Sequence, residues 1–227
     1  MEFIPYHSSS SGNLYSVSSG ASTLLLEAGL PGRTIRKALE YRLSHVAGCL
    51  VTHGHGDHAK GAADLMKYGV DCYMTAETAK EIGAHGHRLH VIEPLKQFVI
   101  DGWTVLPFPA QHDAHNVGFL ISDDDDKMVY LNDSFYSKFR FKGVGIYAIG
   151  CNYSEKTLSP NLDPARKKRL LTAHMSLEQC VKFFEAQDLS RCREIWLLHI
   201  SSENGNEVLF IDKIRAATGK PTYAAPI

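Results

Sequence analysis

At 227 residues, with 44% hydrophobic and 22% charged residues, the chain has the size and composition of one sizeable globular domain, expected to span residues 1–227, which excludes a disordered or fibrous protein. A formal net charge of -1 excludes a global basic field, so contact with nucleic acid or a membrane surface would have to come from a local patch. Five widely spaced cysteines, Cys49, Cys72, Cys151, Cys180 and Cys192, form no CxxC pair. Their odd number and spacing argue against a disulfide framework or thiolate zinc site and for reduced, mostly buried thiols.

The first residues, MEFIPYHSSSSGN, lack a basic segment followed by an apolar run. No later stretch approaches the roughly 18 apolar residues of a membrane span, so a cytoplasmic protein without membrane contact is expected. Short apolar strands are expected around Phe3–Tyr6, Leu14–Val17 and Thr23–Leu26, separated by the Ser8–Gly12 cluster and Gly20. A helix over about Thr34–Tyr41 precedes the apolar run Gly48–Val51, read as a buried strand. Gly61–Tyr68 and Ala76–Ile82 read as helices, and Cys72–Met74, Thr104–Leu106, Val117–Ile121 and Lys127–Leu131 as strands. The run Asp123–Asp126 falls between the last two; four adjacent carboxylates repel one another, so it reads as a solvated hairpin turn rather than a metal site. Further on come a strand at Tyr147–Ile149, a helix over Ser176–Ala186, a strand at Ile195–Leu198, a helix near Glu207–Ala217 and a strand near Thr222. Strands that cluster early and alternate with helices late suit an α/β sandwich, two sheets face to face with helices outside.

Chemistry concentrates in Thr52–His58, THGHGDH. His53, His55, Asp57 and His58 put three imidazoles and a carboxylate within six residues, on a loop kept tight by Gly54 and Gly56. Neutral imidazole nitrogens and carboxylate oxygens suit borderline divalent ions such as zinc or manganese, and alternation across a turn divides the ligands between two ions. Two ions require more donors than this loop holds. His112, Asp133 and His199 each close an apolar strand, where burial without a partner is costly, and complete the candidate set. His85, His87 and His90 have no accompanying carboxylate and read as loop residues.

The order HxHxDH, single His, strand-closing Asp and final His resembles the metallo-β-lactamase superfamily over essentially the whole chain. The segments SSSSGNLYSV, LLLEAGLPGRTIRKAL, VTHGHGDHAKG, HVIEP, PFPAQHDAHNVGFLI, TAHMSLEQC and LLHISSENGN narrow the resemblance to its YycJ/WalJ-like branch, associated with metal-dependent DNA exonucleases, and more distantly to tRNase Z. The resemblance implies the four-layer αββα fold. It implies two divalent metal ions, zinc or manganese: His53, His55 and His112 would hold one, and Asp57, His58 and His199 the other. Asp133 would bridge the two, and Asp57 would be catalytic as well as a ligand. His174, in AHMS, is similar to the histidine that protonates the leaving group in the nuclease branches. Its alternative, read from residues alone, is to precede a helix capped by Ser176 with Gln179 in a capping box. The chain departs from the family at Glu27, where aspartate is usual, at Gly150, where an acidic residue would support the catalytic histidine, and at Tyr153, where an imidazole is expected.

Phosphodiester hydrolysis is the expected reaction, with DNA the favoured substrate. Two basic patches would hold the nucleic acid: Arg166, Lys167, Lys168 and Arg169, and the segment Phe135–Lys142, where Lys138, Arg140 and Lys142 alternate with aromatic residues. Two alternatives stay open at this level. One is hydrolysis of a thioester, lactone or cyclic phosphodiester on the same scaffold, and the other is a non-catalytic, metal-stabilised binding module.

Overall fold

Strands with apolar residues on both faces dictate a sandwich covered on both sides. The computed structural model describes residues 1–20 and 22–227. Strands β1 (Glu2–Ser9), β2 (Gly12–Ser19), β3 (Ser22–Leu26), β4 (Val46–Leu50), β5 (Cys72–Met74) and β6 (Leu89–Val91) lie side by side in sequence order. The second sheet runs in the order β13 (Thr222–Ala224), β12 (Glu194–Leu198), β11 (Ile146–Gly150), β10 (Lys127–Leu131), β9 (Asn116–Ser122), β8 (Trp103–Ala110) and β7 (Phe98–Ile100). Both sheets are mixed: β1, β2 and β3 pair antiparallel and β3 to β6 parallel, while β7 to β10 pair antiparallel and β10 to β13 parallel.

Side chains alternate across a strand, so a continuous apolar run feeds two cores. In β10, Met128 and Tyr130 enter the core between the sheets, while Val129 and Leu131 face the helices outside. Ile146 and Ala148 of β11 likewise point inward, and Tyr147 and Ile149 outward. The first sheet does the same, with Leu24 and Leu26 inside and Leu25 outside. Trp103, Val117 and Phe119 are buried in the inter-sheet core; truncating Phe119 to alanine would cost about 3–5 kcal/mol by lost contacts and the cavity left behind.

Helices α1 (Gly32–Ala38), α3 (Ala62–Lys67) and α4 (Ala76–Glu81) cover the first sheet. Helices α6 (Leu177–Glu185) and α7 (Glu207–Thr218) cover the second, giving the expected αββα layers. The Ser176 capping box is formed in full at the start of α6. All five cysteines are buried and free. The Asp123–Asp126 run is a turn between β9 and β10, in which the Asp123 carboxylate accepts from the Asp125 and Asp126 amides at 3.0 and 2.7 Å. Among the described residues, no helix is long and apolar enough to cross a membrane.

Four elements depart from the sequence reading. Asp57 and His58 sit in a one-turn helix, α2 (Gly56–Ala59), rather than in a tight loop. The Arg166–Arg169 run belongs to helix α5 (Pro164–Ala173), started by Asp163, whose side chain accepts from the Ala165 and Arg166 amides, with Pro164 in its first turn. β6 takes in His90, which was expected in a loop, and β7 forms an edge of the second sheet; both are three-residue edge strands with too little burial to show a period.

Candidate metal centre

Parallel strands of both sheets end at the same mouth. Glu27 follows β3, His53 lies three residues beyond β4, Asp133 two beyond β10, Asn152 two beyond β11, and His199 directly follows β12. The turn after β4 is pressed against the loop after β3. A Cβ on Gly29 would lie 1.7 Å from the Asp57 carbonyl oxygen, so only glycine permits this approach. Backbone bonds from Ala28 N to His58 O (2.8 Å) and from Gly61 N to Ala28 O (2.7 Å) fix the two loops together.

Three non-glycine residues at the mouth have left-handed backbones: Glu27 (φ 68°), Asp133 (φ 46°) and His199 (φ 53°). Each stands at a strand end, where this conformation turns the chain sharply. Neighbours hold it in place. Asn116 Nδ2 donates to the carbonyls of Asn132 (3.2 Å) and Asp133 (2.6 Å), Asn152 Nδ2 donates to His199 O (2.7 Å), and His199 N donates to Ser8 Oγ (2.8 Å).

The structure brings the seven sequence-selected donors together as two groups, His53, His55 and His112, and Asp57, His58, Asp133 and His199; within each group one donor atom per residue lies within 4.8 Å of every other. Asp133 Oδ2 stands between them, 3.1 Å from His58 Nε2, 3.9 Å from His112 Nε2 and 4.0 Å from His53 Nε2. His174 joins the edge of the second group, its Nδ1 3.5 Å from Asp133 Oδ1. The triplet His85, His87 and His90 lies elsewhere, with His90 stacked on Tyr73 and 3.5 Å from Asp71.

Proton bookkeeping shows that this donor set suits cations. His112 Nδ1–H donates to Ala173 O at 2.8 Å, and His53 Nδ1–H donates at 2.9 Å to Thr52 Oγ1, whose own hydrogen goes to Glu27 Oε1 at 2.7 Å. Both rings are thereby held as tautomers whose Nε2 carries a lone pair. Burial, with neighbouring imidazoles adding to it, holds His53 well below the usual histidine range, and burial lowers His112 too, so both are neutral at pH 7. Their Nε2 atoms face the same His55 Nδ1 at 3.0 and 3.3 Å, and one ring nitrogen cannot donate to both. A cation satisfies all three lone pairs.

The second group carries two carboxylates, Asp57 and Asp133. Burial favours their neutral forms, but nearby histidines, His199 and His58 for Asp57 and His199, His174 and His58 for Asp133, outweigh it and hold both well below the usual carboxylate range. Burial opposes charge on His58 and His199, yet Glu27 and Asp133 raise the first, and Asp133 and Asp57 the second. Asp133 Oδ1 is buried without a hydrogen-bond partner, an orphan acceptor that a cation would satisfy.

Several residues that sequence reasoning passed over complete the centre. Glu27, noted only as a departure from the family, accepts from Thr52 Oγ1, from Thr52 N (3.2 Å) and from Tyr130 OH (3.1 Å), and its Oε1 lies 3.2 Å from His58 Nδ1. Asp113 lies 3.0 Å from His112 Nε2 and accepts from Arg169 Nε at 2.6 Å. Its position beside His112 was the available signal. Asn116 and Asn152 act through backbone carbonyls, which no side-chain spacing reveals. Gly150 is packed against Asn132; a Cβ there would lie 2.8 Å from Asn132 Oδ1, which leaves little room for a carboxylate. Tyr153 is buried, and burial pushes its phenol up to about 12.

A cleft of about 420 Å³ opens over the centre. His55, Asp57, Asp133, His174 and His199 form its floor, with Arg166 and Arg169 of α5 on one wall and Ser9, Ser10, Ser201 and Ser202 among the residues of the rest. Lys167 and Lys168 are absent from its lining. In the second basic segment, Phe139 and Phe141 pack on Phe108, with ring centroids 5.5 and 5.1 Å away, and so serve the core rather than an open stacking surface.

Comparison with known proteins bears on the family and the fold. The family described as "Beta-lactamase superfamily domain" matches residues 25–200. Exodeoxyribonuclease WalJ of Streptococcus pneumoniae is 29% identical over 216 residues, which cover 87% of this chain and 80% of the relative. Exodeoxyribonuclease YycJ of Bacillus anthracis is 27% identical over 229 residues, covering 92% and 86%. Among solved structures, the metallo-β-lactamase fold protein YhfI from Bacillus subtilis superposes with a TM-score of 0.77 at 13% identity, covering 99% of this chain and 96% of that one. The short form of human tRNase Z superposes with a TM-score of 0.69 at 14% identity, covering 100% and 96%.

Proposed function

Since the chain belongs to the β-lactamase superfamily, we propose that it is a dinuclear metal-dependent phosphodiesterase acting on nucleic acid, specifically a DNA exonuclease working as one domain over residues 1–227. The observation that carries this reading is the pair of donor groups, with Asp133 of the second facing the first, at the floor of an open cleft. The exonuclease names of its relatives WalJ and YycJ favour phosphodiesters over other esters and over a non-catalytic binding module.

His53, His55 and His112 would hold one ion and Asp57, His58 and His199 the other, with Asp133 shared; the nitrogen and oxygen set suits zinc or manganese. Bound there, divalent ions supply Lewis acidity and an activated water at neutral pH. The chain's own residues do the rest. Glu27 and Thr52 hold His53 and His58 in orientation, and Ala173 O does the same for His112, which keeps the donor atoms converged. His174, on the cleft floor and with its Nδ1 3.5 Å from Asp133 Oδ1, protonates the departing sugar oxygen. Arg166 and Arg169 add positive charge on one wall of the cleft for the nucleic-acid backbone.

Digestion of end-labelled single- and double-stranded DNA and RNA, with Mn²⁺ or Zn²⁺ restored after chelation, tests the reading. Shortening of DNA from its ends in the presence of one of the two ions is expected. Intact substrates under every condition would sink it.

A further inference from the structure

Arg169 is held in a way that a diffuse charge patch does not require. Its Nε donates to Asp113 Oδ2 at 2.6 Å, while Asp113 Oδ1 lies 3.0 Å from His112 Nε2, the nitrogen that faces the first metal group. The adjacent residue, His112, bonds through Nδ1 to Ala173 O at the end of the same helix. Two consecutive residues after β8 therefore register α5 against the metal centre at two points. Arg169 is exposed, with 58% of its side-chain surface open, and an exposed ion pair adds at most about 1 kcal/mol to stability. Stability is thus a poor reason for the arrangement.

A guanidinium offers five donors in a planar fork. Occupying Nε from one side fixes the plane and leaves the Nη edge available; neither Nη of Arg169 bonds to any described residue. Arg166, one turn earlier, lines the same cleft. We propose, resting on the phosphodiesterase reading, that Arg169 is a phosphate-binding residue for the group flanking the scissile phosphodiester, with Asp113 as its positioning residue. The subsite selects substrates that carry a second phosphate one nucleotide from the cleaved bond. A bidentate Nη contact supplies geometry that a lysine ammonium cannot reproduce.

The test compares kcat/KM for a labelled single-stranded oligodeoxynucleotide with that for bis(p-nitrophenyl) phosphate, a diester without a neighbouring phosphate, using the full chain loaded with the ion that supports turnover. R169K and D113A should each lower the oligonucleotide-to-diester ratio about tenfold, chiefly through the oligonucleotide KM. The double variant should fall no further than R169K alone, because both changes remove one contact. D113N keeps an oxygen acceptor for Nε and should restore most of the ratio, with metal content measured in every variant. K167A, a charge change on the same helix away from the cleft lining, should lower the ratio less than twofold. A wild-type ratio in R169K, an equal loss in K167A, or equal losses in D113A and D113N accompanied by lost metal would overturn the subsite. If the wild-type chain cleaves the small diester but no oligonucleotide, the nuclease reading fails; if it cleaves both and R169K matches it, only the subsite fails.

Discussion

The seven candidate ligands reach the centre by two routes. His53, His55, Asp57 and His58 come from one turn after β4, whose shape is set by local backbone bonds and by the close approach of Gly29. His112, Asp133 and His199 come from the ends of three strands of the other sheet and are within reach only because the two sheets pack in one register. The contiguous cluster is shaped by its own turn and by the loop after β3 pressed against it, within one sheet. The first half of the centre therefore needs one sheet, and the second half fails when the packing of the two sheets fails.

Asp133 belongs to the dispersed set yet faces both groups, so its loss should erase the distinction between the routes. D133A is expected to lower metal content at both positions and phosphodiester turnover by more than a thousandfold, checked by elemental analysis and single-turnover assays. His174 belongs to neither route. H174A should keep its metal while turnover drops about a hundredfold, within the range for removal of a general acid; unchanged turnover would take the role from it. Glu27 serves the contiguous half, where it supports Thr52 and faces His58. E27Q should weaken metal affinity about 10- to 100-fold in a chelator competition, with little change in the unfolding midpoint of the metal-free protein. Asn116 serves the dispersed half through the carbonyls of Asn132 and Asp133. N116A should cost about 1–3 kcal/mol in denaturant unfolding of the metal-free chain, with a smaller loss of metal affinity than in E27Q.

The same division explains what could be read from the sequence. The His53–His58 turn announces itself because its chemistry is packed into six residues, and strands such as Lys127–Leu131 do so because burial on both faces makes them continuously apolar. His112, Asp133 and His199 were legible as polar residues closing such strands at one mouth, but their division between two ions was implied by resemblance to a family. Helix α5 was missed because it is mostly exposed, with only Ala173 buried, so no apolar stripe marks it. Asn116 and Asn152 were missed because their partners, the carbonyls of Asn132 and Asp133 and the backbone and ring of His199, are distant in sequence, and Asp113 because its place beside His112 does not reveal its arginine partner.

The left-handed backbones of Glu27, Asp133 and His199 bear on how this chain could change over time. Glycine suits that conformation better than any of the three, so at each position the residue that serves the chemistry is not the one the backbone prefers. Random drift toward stability would erode the mouth before the core, and stabilising screens that ignore turnover should recover replacements at these positions first. An engineer seeking a hardier enzyme should leave the strand ends alone and work on the outer helices, where sequence and conformation are not in conflict.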